Sequence, residues 1–162
     1  MGPGDDAAAR SRWAGDAGAR RLYAQVRDAC EGGEDLPTRL EAGLRAALGT
    51  LAAEPELAYE LTVAPWLGSD EGALDALREW IGLFGGLLRD AVASDPRTTT
   101  SDLRFLAAFL IGGVRFQIAR LVIAGEAQDL LRLLPGTLEA LLAYYFEPGE
   151  PRSLARAALA RR

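Results

Sequence analysis

The chain has 162 residues, the length of one ordinary domain, and 49% hydrophobic against 25% charged residues supply a core and exclude disorder over most of it. A formal net charge of −5, from 23 acidic and 18 basic side chains, excludes a surface built to neutralise phosphates. Cys30 is the only cysteine and histidine is absent, which excludes an internal disulfide, a cysteine-histidine zinc site and any nucleophile activated by imidazole.

From these exclusions the expectation is a non-enzymatic protein with no metal and no cofactor. Every basic residue is arginine, the habit of a GC-rich bacterial genome. The N-terminus lacks the apolar run of a signal peptide, and the longest near-apolar run, Phe105 to Val114, is too short to span a bilayer. A cytoplasmic protein without membrane contact is therefore expected.

Residues 1–17, rich in Gly, Ala, Asp and Arg, have no apolar period and read as a flexible lead-in. Leu22, Val26 and Cys30 then form a helical stripe that the cluster Gly32-Gly33-Glu34-Asp35 closes. Asp35 caps a second helix with Pro37 in its first turn, and Leu40, Leu44, Ala47, Leu48 and Leu51 make its buried face, ending near Ala53. Pro55 opens a third, short helix carrying Leu57 and Leu61, with Glu56 and Glu60 outward, until Ala64-Pro65 breaks it and a loop runs to Gly68.

Ser69 and Asp70 are read as the cap of a long fourth helix with Leu74, Leu77, Trp80, Ile81, Phe84, Leu87, Leu88 and Val92 at helical spacing. Its Gly82, Gly85 and Gly86 each cost about 1 kcal/mol relative to alanine, so they predict close helix packing or, alternatively, a soft segment beside a cavity. Thr99 and Asp102 resemble a capping box for a fifth helix with two apolar stripes. One runs through Phe105, Phe109, Gly112, Phe116, Ala119 and Ile123, the other through Leu103, Leu106, Leu110, Val114 and Leu121. A helix apolar on two faces needs cover on both.

Arg115 and Arg120 on this helix are expected on a solvated stripe near Glu126 or Asp129, the alternative being contact with an anionic effector. Gly125 stops it. A sixth helix runs from Gln128 to Phe146 with Leu131, Leu134, Leu138, Leu141, Leu142 and Tyr145, kinked or restarted at Pro135-Gly136. Residues 149–162 read as an Arg-rich tail, at most a frayed amphipathic turn. The fold class is all-α, an antiparallel helical bundle of about six helices with no strand pattern.

Phe109 to Pro148, FLIGGVRFQIARLVIAGEAQDLLRLLPGTLEALLAYYFEP, resembles the last two helices of TetR/AcrR-family transcriptional regulators, with a Gly-Gly pair, a short acidic joint and a Leu-Pro-x-Leu helix. Leu40 to Val63, LEAGLRAALGTLAAEPELAYELTV, is similar to the family helix ending in "AxEPxLA". The resemblance covers Leu22 to Pro148, within a ligand-binding and dimerisation domain over residues 18–148. The family's N-terminal helix-turn-helix has no counterpart before Leu22, so no direct nucleic-acid contact is expected from this chain, only contact through a missing reader.

The resemblance implies a homodimer through helices five and six, with Gly112, Gly113, Leu134, Leu138, Leu141 and Tyr145 at the interface. It also implies a pocket for a small organic effector among helices two to five. Tyr59, Trp66, Trp80, Phe84, Phe109 and Phe116 offer its aromatic walls, with Gln117 or Glu60 as polar anchor. Two other readings stand beside this: a reader-less partner forming mixed dimers with a full-length regulator, and a small helical lipid or ligand carrier. An enzyme would need a catalytic constellation, and the scattered carboxylates supply none.

Overall fold

A computed structural model describes residues 17–67, 71–98 and 103–161. The lead-in up to residue 16, the Ser69/Asp70 cap and the Thr99/Asp102 capping box lie outside the described residues. Within them the chain is all-helical: α1 (Ala17–Glu31), α2 (Leu36–Ala53), α3 (Pro55–Thr62), α4 (Ala64–Leu67), α5 (Glu71–Ala93), α6 (Leu103–Ile123), a 3-10 segment (Ala127–Leu133), α7 (Leu134–Leu142) and α8 (Pro151–Ala160).

The helix α2 is the hub, packed against α1, α3, α5, the 3-10 segment, α7 and α8. Its start follows from local chemistry. The Asp35 carboxylate accepts from Thr38 N–H at 3.0 Å, and Thr38 Oγ1 accepts from Asp35 N–H at 3.2 Å, a reciprocal box that satisfies two otherwise orphaned donors. Where α2 crosses α1, Gly43 is buried, and a Cβ there would run into Cys30 Sγ. The glycine therefore leaves room for the Cys30 sulfur between the two helices.

Two apolar clusters fill the interior. One gathers Leu22, Leu48, Leu51, Ala58, Trp80 and Leu130; the other gathers Leu36, Val92, Ala107, Leu138, Leu142 and Tyr145. The elements α5 and α6 pack on each other, and α6 also packs on α3.

Four expectations change. Ala64–Leu67 is a helical turn and not a loop, because Pro65 sits in its first turn, where no N–H is needed. The sixth helix restarts at Pro135 as read, with that residue in the first turn of α7, but the part before it is a 3-10 segment and α7 ends at Leu142. The expected Arg-rich tail is the regular helix α8, which buries Pro151, Ala155 and Ala158 against α7 and α2. The glycines of α5 do not serve close packing: a Cβ would meet nothing within 4 Å at Gly82, and at Gly85 and Gly86 only ordinary contacts, the nearest at 3.9 and 3.8 Å.

The stop after α6 holds as read. Gly125 has φ 75°, Glu126 N–H donates to Leu121 O at 2.9 Å and Gly125 N–H to Val122 O at 3.1 Å, the Schellman pattern that a left-handed glycine permits.

Candidate ligand cavity and exposed helical face

Two features stand apart from a packed bundle. The first is a cavity of about 80 Å³ between α1, α2, α5 and α6, with Leu141 of α7 also in its lining. Val26, Leu44, Trp80, Phe84, Ile111 and Ile118 contribute its wall, with Cys30 and Arg115 as the polar members. Trp80 and Phe84, one helical turn apart on α5, lie with ring centroids 4.5 Å apart, and Tyr23 of α1 meets Phe84 edge-on. Burial pushes the Cys30 thiol above its ordinary value, so it stays neutral. The three glycines of α5 flank Phe84 and Leu87, both of which line the cavity, so this wall is the softest part of its helix.

Arg115 corrects the reading of a solvated stripe. It is 1% exposed, one of the largest fully buried side chains. The cause lies in α3. In a continuing helix the Leu61 carbonyl would accept from the N–H of residue 65, but that residue is Pro65 and has none. Arg115 fills the gap: its Nε and Nη2 donate to Leu61 O at 3.4 and 3.3 Å, both long for such bonds. The guanidinium carbon lies 5.2 Å from the Trp66 ring centroid. Nη1 is buried without a hydrogen-bond partner. Burial lowers the Arg115 pKa to about 10, which leaves it protonated at neutral pH. A buried, partly unsatisfied cation of this kind costs several kcal/mol.

The second feature is the outer face of α6. Phe105, Phe109, Phe116 and Ile123 are 72%, 60%, 56% and 70% exposed, whereas Ala107, Leu110, Ile118 and Ala119 of the same helix are buried. Ala119 thus turns inward, apart from the phenylalanines with which the sequence pattern grouped it. Phe109 and Gly113 continue into an open groove of about 440 Å³ between α6 and α7, lined also by Gln117, Gly136, Thr137 and Tyr144. The helix is longer than the apolar run suggested. Arg104–Ile123 makes 20 residues of mean hydropathy 1.7, long and apolar enough to cross a membrane by length and composition alone.

Of the expected pocket residues, Trp80 and Phe84 line the cavity. Tyr59, Trp66, Phe109, Phe116 and Gln117 are exposed and do not, and Glu60 also faces outward. Aromatic type was the wrong guide here, since four of those rings lie on outward faces. Of the expected dimer residues, Gly112 is half-buried and Gly113 exposed, and neither has a neighbour within 4 Å of an added Cβ. Leu134, Leu138, Leu141 and Tyr145 are interior, so they have no surface to offer a partner. The inward face of α7 is already consumed by α2 and α8. Tyr145 sits wholly within the second cluster, where burial pushes its hydroxyl up to about 12. Arg115 was missed because charge type was weighed above position. It falls four residues after Ile111 and three before Ile118, on the inward side of the wheel.

Among the described residues no group of three or more His, Cys, Asp and Glu side chains can hold a metal ion. Compared with known protein families, curated proteins and solved structures, the chain matches none.

Proposed function

We propose that this chain is a soluble dimerising module that senses a small organic effector, of the kind that forms the C-terminal half of TetR-like transcriptional regulators. The observation that carries the reading is the exposed apolar face of α6. Large side chains more than half exposed, in register along several turns and continuous with a groove, are a costly surface for a free monomer. A second copy of the same face, applied across a two-fold axis, covers α6 with α6 and lets Gly113 approach its mate closely.

The cavity supports the sensing half of the reading. It is largely apolar and walled by four helices, one of them with three glycines. Filling it presses on α6, the helix that also carries the dimer face. An effector with different affinity for two dimer geometries shifts their balance by that difference. A full-length regulator as partner in a mixed dimer would use the same face.

The test is native mass by light scattering and sedimentation. The purified chain is expected to be a dimer at micromolar concentration. Gly113→Leu and Phe109→Glu should each weaken it at least tenfold, and the fold should tolerate both, since a Cβ at Gly113 meets nothing and Phe109 is exposed. A wild type that stays monomeric over that range, or a Gly113→Leu chain that sediments like the wild type, removes the dimer assignment.

A further inference from the structure

The hollow among α1, α2, α5 and α6 is hydrocarbon almost throughout, and that composition limits what it can hold. We infer that it takes a compact, neutral, apolar molecule, a short hydrocarbon or its close equivalent, and rejects ions; this rests on the reading of the chain as an effector-sensing module.

Val26 of α1, Leu44 of α2, Leu87 of α5 and Ile118 of α6 supply aliphatic wall from all four helices, and the Trp80 and Phe84 rings supply aromatic wall. The two polar residues of the lining offer a head group no partner. Arg115 directs Nε and Nη2 to Leu61 O, and its Nη1 has almost no accessible surface. With a lining almost wholly apolar, Arg115 meets the hollow through its methylene stem. The Cys30 thiol stays neutral and is only a weak donor. A carboxylate or an ammonium entering here would shed its water and find nothing to replace it. Water, which needs several polar partners, has no better claim to the space.

Size narrows the class. The hollow, about 80 Å³, is near half of the roughly 150 Å³ engineered cavity that accepts benzene in another protein. By that proportion about three or four non-hydrogen atoms fill it. The smallest residues of the lining are Gly43 and Ala47 of α2, one turn apart. The space beyond Gly43 already belongs to Cys30 Sγ, so Ala47 is the position at which added bulk competes with a ligand.

The experiment follows the methyl NMR signals of Ile111 and Ile118, both in the lining, while the full chain is titrated with cyclopropane, with acetate and with benzene. Cyclopropane is expected to shift both signals saturably, acetate to leave them unmoved, and benzene to bind about tenfold more weakly because it overfills the space. Ala47→Leu should abolish the cyclopropane shifts. Acetate that matches cyclopropane, or benzene that binds more tightly, overturns the inference and leaves the effector reading in place. Cyclopropane shifts that persist in a folded Ala47→Leu chain, or that never saturate in the wild type, also overturn it. Should Ala47→Leu fail to fold, the ranking of the three probes on the wild type decides alone. Sedimentation with and without cyclopropane tests the underlying reading separately. Binding as described with an unchanged dimer constant supports the inferred ligand class and removes the sensing role.

Discussion

Gly43 has no room for a methyl group because Cys30 Sγ fills the space its Cβ would take. Alanine there gains about 1 kcal/mol of helix propensity, while overpacking costs about 1 to 3 kcal/mol. The expected net effect of Gly43→Ala is a loss near 1 kcal/mol in urea unfolding. Adding Cys30→Ala opens the space, so the double variant should be more stable than Cys30→Ala alone; simple additivity would show that the contact is not limiting.

A second residue-scale case is Asp95, whose carboxyl is held down to about 2. The hydrogen bond from the Arg97 guanidinium is the main cause, at 2.7 Å from Nη2, burial opposes it, and backbone N–H groups of Arg97 and Leu36 add to it. Because the folded pKa lies below the unfolded value, the stability it contributes is complete above about pH 4 and is lost as pH falls from there towards 2. With Arg97 half exposed, its size is on the order of 1 kcal/mol. Asp95→Asn should flatten stability against pH in that window, and an unchanged slope would assign acid sensitivity elsewhere.

At the scale of elements, α8 is the instructive case. Its sequence, PRSLARAALA, carries Pro151, Leu154, Ala155, Ala158 and Leu159 at helical spacing, and that period was legible but was outweighed by its arginines. The arginines face outward: Arg152 pairs with Glu139 at 3.1 Å, and Arg161 reaches Asp35 at 3.3 Å, tying the last helix to the start of α2. Ala158→Asp would place a charge in the interior and is expected to cost more than about 2 kcal/mol, against about 0.5 kcal/mol or less for Arg156→Ala on the exposed side. Equal, small effects in denaturant unfolding would mean that α8 contributes no packing.

Other elements were read more directly. Both ends of α2 follow from Asp35, Pro37 and the Glu54-Pro55 step, and the stop of α6 follows from Gly125, because caps and glycines act within a turn. The division after Gly125 was less accessible. Leu131 and Leu134 fit a helical period whether the backbone is 3-10 or α, and only packing on α2 decides between them.

For the whole molecule, sequence carried the all-α class and the two-sided character of α6, since both rest on periodicity. It carried little of the cavity. Only Trp80 and Phe84 among the expected pocket residues belong there, because the cavity is a gap left between the side chains of four packed helices, and such a gap leaves no local pattern. The same holds for Arg115, whose place is explained by a proline fifty residues earlier in the chain.

Empty space in a protein also has a mechanical meaning. A folded chain that encloses a void occupies more volume than its atoms and their hydration require once it opens, and the system contracts on unfolding, by about 20 to 100 mL/mol in globular proteins. The hollow beside α5, about 80 Å³ in extent, is space of this kind, and hydrostatic pressure should act on it. A molecule seated in it would stiffen the fold against pressure even where it adds little to heat stability.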